Sequence, residues 1–225
     1  VSTGDYIAEL AEASAADAAR CAISHPFGFL QQRSHELILG VPGSGKTRLA
    51  RGRLARSRRA VFFDPTGHDY DGSGERVSPE DLIADPELLA GTVCRLHVVP
   101  GDDVAAGFAI TVRACRGAAR HGGLVLLGDE VGDYSQRAAE VLTRLHRNGH
   151  HDGVASLLVS QCAVDIPKTC RRTATRVSSL LQVASADLEA LAVEYGDEFA
   201  ERVRRWRPGD PAAVWSLPTL YPAHP

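Results

Sequence analysis

The 225-residue chain carries a net charge of −3, with 44% hydrophobic and 24% charged residues, the composition of a globular protein long enough to bury a substantial core. This balance excludes a globally basic nucleic-acid binder, leaving only local basic surfaces for that role; no apolar run approaches the roughly 18 residues of a transmembrane helix, and no secretory leader is visible. Five cysteines without C-x-x-C spacing indicate reduced thiols, and the lack of methionine suggests that the sequence begins after the protein's own first residue.

Residues 5–22 are rich in Ala and Glu and are expected to form a helix, with Ile7, Leu10 and Ala11 on one stripe. Leu37–Leu39 is a short apolar strand. It leads into Gly40-Val41-Pro42-Gly43-Ser44-Gly45-Lys46-Thr47, and a helix is expected over Lys46–Ser57. Arg48, Arg51, Arg53, Arg56, Arg58 and Arg59 follow, either as a solvated face or as a contact with nucleic acid or a neighbouring subunit. Strands are expected at 60–64, 95–99, 123–128, 154–160 and 175–183, with a short last one at 212–215. Helices are expected at 79–90, 102–119, 135–147 and 184–205. Strands alternating with helices predict an α/β domain over 35–216 with a mainly parallel sheet. A helical segment (1–34) precedes it and a Pro-rich tail (217–225) follows.

The stretch Gly40–Thr47 fits G-x-x-x-x-G-K-[ST] at every fixed position. Its glycines let the backbone turn its N–H groups inward on an anion, and the helix that follows adds its positive end. Lys46 reaches the outer phosphates and the Thr47 hydroxyl is placed for a magnesium ion. Of the 25 Lys and Arg residues only Lys46 and Lys168 are lysine, so a lysine here is a specific choice. Leu124–Glu130, an apolar strand ending in two acids, is a Walker B arrangement. Asp129 is read as the metal-side acid and Glu130 as the base that polarises the attacking water. Strand alternation would send the adjacent acids to opposite sides. Gln161 ends the next strand, where a neutral amide senses the γ-phosphate or orients water. His146 and His150, four apart and followed by His151, have zinc-ligand spacing, but no cysteine lies near in sequence. Asp64 and Asp133 are further polar residues near strand ends.

GVPGSGKT, FFDPTGHDY, LVLLGDE, RLHRNGHHDGVASLLVSQ and DLEALAVEYGDEFAERVRRWRPGD occur in this order. The series resembles the FtsK–HerA superfamily of ring-shaped DNA-pumping ATPases, and within it the compact packaging ATPases of membrane-containing double-stranded DNA viruses. The resemblance covers residues 35–216. It implies a RecA-like core, ATP and Mg2+ as nucleotide and metal, duplex DNA as partner and a hexameric or pentameric ring. It also implies location at a virion vertex or in the host cytoplasm if the chain is viral, and in the cytoplasm otherwise, with a viral portal or membrane protein as a further partner. Gly40–Thr47 with Arg48 would bind the nucleotide; Lys46, Glu130 and Gln161 would serve catalysis. Relatives often carry an arginine close to where this chain has His150. The trans-acting arginine finger is therefore sought among Arg144, Arg147, Arg171 and Arg172, with Arg147 taken as the site residue. Arg48–Arg59 and, by preference, Arg171–Arg172 are the candidate DNA contacts. A P-loop small-molecule kinase and an assembly or export factor of the filamentous-phage type are the alternatives.

Overall fold

The computed structural model describes residues 35–119 and 123–217, without the side chain of His150. The helix expected over 5–22 and the last residues of the tail lie outside the described residues. In chain order the elements are β1 (His35–Leu39), α1 (Lys46–Leu54), β2 (Arg59–Phe63), β3 (Glu75–Val77), α2 (Asp81–Ala84), a 3-10 turn (Pro86–Leu89), β4 (Cys94–Val98) and α3 (Val104–Ala118). Then come β5 (Leu124–Gly128), α4 (Val131–Tyr134), α5 (Ala139–Asp152), β6 (Val154–Ser160), α6 (Lys168–Thr173), β7 (Arg176–Ser179), α7 (Ser185–Tyr195), α8 (Asp197–Arg205) and β8 (Ala213–Ser216).

The eight strands form one sheet in the order β3-β4-β2-β5-β6-β1-β7-β8. Every pairing is parallel except β7 with β8. Parallel strands need cover on both faces, and β1, β2, β5 and β6 are buried along their whole length. Leu37, Val61, Phe63, Leu126 and Leu158 face one side, against Phe108 and Val112 of α3, Leu142 and Leu145 of α5 and Leu191 of α7. Ile38, Phe62, Leu127, Leu157 and Val159 face the other, with Ala50 and Leu54 of α1 and the Tyr70 ring. Each such Leu, Ile or Phe stabilises the fold by about 1.5–3 kcal/mol through burial.

The abundant arginine satisfies helix-end carbonyls. Arg95 donates to the carbonyls of Leu54 and Ser57, closing the C-terminal end of α1, and to that of Ser73. Buried Arg59 donates to Leu89 and Ala118, closing α3. A planar group with five donors does this where lysine would not.

The strands fall where expected, but several boundaries move for local reasons. The helix expected over 79–90 divides into α2 and the 3-10 turn because Pro86 lacks an N–H; Asp85 instead accepts from the Glu87 amide. The helix expected over 135–147 runs on to Asp152, ending at left-handed Gly153 (φ 78°). Residues 184–205 form two helices because Gly196 (φ 94°, ψ 153°) leaves the helical region. β3, α4 and α6 were not expected; each spans six residues or fewer, too short for a periodic signal.

Gly74 leads into β3, and a Cβ there would lie 2.5 Å from the carbonyl carbon and oxygen of Arg95. Main chain inside a sheet cannot move aside, so Gly74→Ala should cost about 1–3 kcal/mol in denaturant unfolding.

Candidate active site

The loop Gly40–Thr47 leaves β1 pinned on both sides. The Gly40 amide donates to Ser160 of β6 (3.3 Å), the Val41 amide to Leu181 (3.0 Å), and Leu180 donates back to Leu39 (2.8 Å). A Cβ on Gly40 would stand 2.7 Å from Ser44 Oγ and 2.9 Å from the Leu180 Cβ, so only glycine fits. Gly45 caps α1 in the left-handed region (φ 100°) with no side-chain cap and no acid in the first turn. The first-turn amides of α1 have no partner within the helix and no competing carboxylate, an arrangement suited to an anion. Lys46 is buried, its Nζ donating to the Val41 carbonyl at 3.3 Å, so its charge is folded over the loop. The Ser44 hydroxyl is buried without a partner.

Asp129 leaves β5 with its amide on the Phe63 carbonyl (3.0 Å) and is 1% exposed. One carboxylate oxygen accepts the Glu130 amide at 2.9 Å; the other, Oδ2, is buried with no hydrogen bond. Burial pushes this carboxyl up to about 7, the Glu130 charge adding to the effect and the Glu130 amide and Tyr70 hydroxyl pulling against it. Tyr70 and Asp129 interact electrostatically, yet neither oxygen completes a hydrogen bond of ordinary geometry. An acid oxygen buried and unmatched near the phosphate loop fits a hard divalent cation held with the Thr47 hydroxyl.

Glu130 is the only non-glycine residue at positive φ among the described residues, at φ 44°, ψ 44°. A left-handed glutamate costs on the order of 1–3 kcal/mol and such strain concentrates at functional positions. The two acids therefore diverge for a reason other than the one expected. β5 ends at Gly128, so strand alternation does not apply; after the left-handed Glu130 the two acids meet different partners, Tyr70 beside Asp129 and Gln161 beside Glu130. β6 lies between β5 and β1, with Leu39 level with Ser160 and Gly128 level with Leu158. Gln161 thus emerges between phosphate loop and acid pair, donating from Nε2 to Glu130 Oε2 at 3.1 Å. Gln182 Nε2 holds the Gln161 carbonyl at 2.9 Å.

Sequence reading missed how Asp64 and Tyr70 work together. Asp64, fully buried, accepts from the amides of Thr66, Gly67 and Tyr70, the Thr66 hydroxyl and His97 Nε2 (2.9 Å). Burial alone would raise its carboxyl; the Thr66, His97 and Gly67 hydrogen bonds outweigh that and hold it below its ordinary value. Asp64 therefore fixes the loop that delivers Tyr70 to Asp129. The D-P-T-G turn after a strand was the available signal, legible as a turn but not as a lever on another acid. Gln182 carried no signal at all.

Other candidates lie elsewhere. Asp133 is exposed on α4. Arg171 donates to the carbonyls of Ala163 and Ile166, and Arg172 pairs with Glu194 at 3.1 Å. Arg53 pairs with buried Glu36, and Arg51 donates to the Asp69 carbonyl. Arg48 is exposed beside the phosphate loop, while Arg144 and Arg147 are exposed on α5. His146 stacks on His35 at 4.5 Å, and both its ring nitrogens meet hydroxyls, of Thr173 (3.3 Å) and Ser156 (3.2 Å). Burial and the neighbouring His35 hold it neutral, a core residue with no nitrogen left for zinc.

The same arrangement of strands and loops occurs in solved structures. The genome packaging NTPase B204 from Sulfolobus turreted icosahedral virus 2, in complex with AMPPCP, matches 79% of this chain and 90% of its own, at TM-score 0.63 and 16% identity. The fold is that of a RecA-like P-loop NTPase. B204, the DNA-packaging ATPase from Sulfolobus turreted icosahedral virus, matches 78% of this chain and 89% of its own (TM-score 0.63, 19% identity). VirB4 of Thermoanaerobacter pseudethanolicus matches 82% and 88% (TM-score 0.55, 12% identity). No protein-family model matches the sequence, and no curated protein matches it. Among the described residues no helix is long and apolar enough to cross a membrane.

The raised carboxyl of Asp129 has a stability consequence. The folded state holds a proton that the unfolded chain releases near 3.8, so between there and about 7 stability falls as pH rises. In metal-free buffer, Asp129→Asn should therefore be more stable than wild type at pH 8, on the order of a few kcal/mol, because an amide carries no charge to desolvate and can donate to Tyr70. Melting curves of both proteins at pH 5 and pH 8 check this; the gap should narrow at the lower pH.

Proposed function

We propose that this chain is an ATPase that moves duplex DNA, packaging a viral genome as a subunit of a hexameric or pentameric ring. The observation that carries the chemistry is Glu130, held in a left-handed conformation and bonded to Gln161 between phosphate loop and buried acid. The backbone of Gly40–Thr47 and the Lys46 ammonium bind the polyphosphate, with Val41 and Pro42 shaping the loop and Arg48 flanking it. Glu130 takes the proton from the attacking water, and Gln161 orients both the carboxylate and that water. Thr47 and Asp129 hold Mg2+, which supplies neutralisation of phosphate charge. Arg147 of a neighbouring subunit completes the charge on the transferred phosphoryl group, since Arg171 and Arg172 are engaged within their own subunit. The likeness to the packaging NTPase B204 supports DNA as the moved substrate.

Glu130→Gln should lower kcat by about 10^2–10^4-fold while leaving ATP affinity within about threefold, since only the transition state loses its base. Lys46→Ala should instead weaken ATP binding at least about tenfold, measured by titration calorimetry. With a finger in trans, mixing Glu130→Gln subunits into wild type should depress turnover more than in proportion. Duplex DNA should stimulate wild-type turnover; a response only to a small phosphate acceptor would favour a kinase.

A further inference from the structure

On the sheet face away from α1, the helices α3 and α5 border a cleft of about 710 Å³ lined by Arg113, Arg116, Gly117, Arg144, His151 and Asp152, among others. We propose that this cleft is a contact site for the phosphate backbone of duplex DNA. The inference rests on the DNA-moving reading above and assigns it a surface.

Charge is the first reason. The protein as a whole carries −3, yet here arginines from two helices share one concavity. Arg116 is bonded to Asp152 at 2.5 Å, so that pair is neutral and rigid. Arg113 and Arg144 are exposed and make no hydrogen bond or ion pair with the described residues. Unspent guanidinium groups in a cleft are donors awaiting an acceptor, and phosphate matches their fork geometry.

Shape is the second. At Gly117 nothing stands within 4 Å of where a Cβ would be, so the cleft wall is low and a ribbon of phosphates can approach the helix backbone. Among the described residues no Phe, Tyr or Trp lines the cleft, so it lacks the large aromatic rings that form a stacking platform for single strands or anchor a protein partner. Phosphates of a duplex need neither.

Competition is the third. The arginines favoured from sequence, Arg171 and Arg172, are engaged with carbonyls and with Glu194, and within α1 Arg51 and Arg53 are engaged too. The cleft also lies by Gly153, at the N-terminal ends of β5 and β6. That is the sheet edge opposite the phosphate loop, so its occupancy can be altered without touching the hydrolytic residues.

The test uses the full chain with Arg113→Glu, a second variant Arg113→Gln that removes charge without reversing it, and Arg58→Glu, an exposed arginine outside the cleft from the Arg48–Arg59 stretch that is the competing DNA contact. A labelled mixed-sequence duplex is titrated at several salt concentrations in the presence of MgATPγS, and ATPase rates are measured with and without DNA. Arg113→Glu should weaken DNA binding at least about fivefold, lower the slope of log affinity against log salt by about 1 for each phosphate that is no longer neutralised, and reduce DNA stimulation at unchanged basal turnover. Arg113→Gln should show a smaller loss in the same direction, and Arg58→Glu less than about a twofold change. If wild type binds DNA and Arg113→Glu binds as well, or Arg58→Glu loses as much, the cleft assignment is wrong while the motor reading stands. If wild-type turnover ignores DNA, the motor reading itself fails and the cleft assignment with it. A change in subunit assembly by light scattering, with DNA binding per ring intact, would make the cleft a subunit contact and overturn the proposal.

Discussion

The hydrogen-bond ladders that seat β6 between β1 and β5 decide where every part of the candidate site falls. With Leu39 level with Ser160 and Gly128 level with Leu158, the phosphate loop, Gln161 and the acid pair leave the sheet side by side. Parallel strands expose their C-terminal ends together, and a sheet buried on both faces cannot slip by one residue without turning its apolar side chains over. The register is therefore held by the core, and the site inherits its precision from it. Gln161 reaches Glu130 at 3.1 Å from the end of a strand paired on both sides.

On that rigid edge the chain places features that lower its own stability. Asp129 is buried with an unmatched oxygen, Tyr70 and Ser44 have unmatched hydroxyls, and Glu130 occupies a backbone region that disfavours it. Each is unfavourable alone and makes sense against a ligand that brings cationic charge, phosphate oxygens and water. The Asp64 network does the opposite work. It saturates a buried carboxylate with five donors and converts a turn into a fixed strut for Tyr70. Saturated and unsaturated acids thus lie near one another, the first structural and the second available.

Arginine divides in the same way. Arg59, Arg95 and Arg171 spend their donors on backbone carbonyls at helix and loop ends, and Arg53, Arg116 and Arg172 on carboxylates. Composition alone makes the chain look uniformly supplied with surface cations. The partners show that most of those named here are structural, which concentrates attention on the few that are not.

How much of this was legible beforehand follows from the range of each interaction. Gly40–Thr47, the apolar strand before Asp129-Glu130 and the α/β alternation are local or periodic, so the sequence by itself determined the fold class and made the loop after β1 and the acid pair after β5 legible as candidates. Short elements such as β3 and α6 left no periodic trace, and the break at Gly196 was hidden inside a helix-favouring run. Tertiary structure alone decided that Glu130 is left-handed, that Tyr70 faces Asp129 from a loop fixed by Asp64, that His146 is a stacked core histidine, and that Arg171 is spent while Arg113 is not. A motif records which groups the chain owns. Partnership depends on which residues distant in sequence the sheet order brings within hydrogen-bond reach, and no local spacing encodes that.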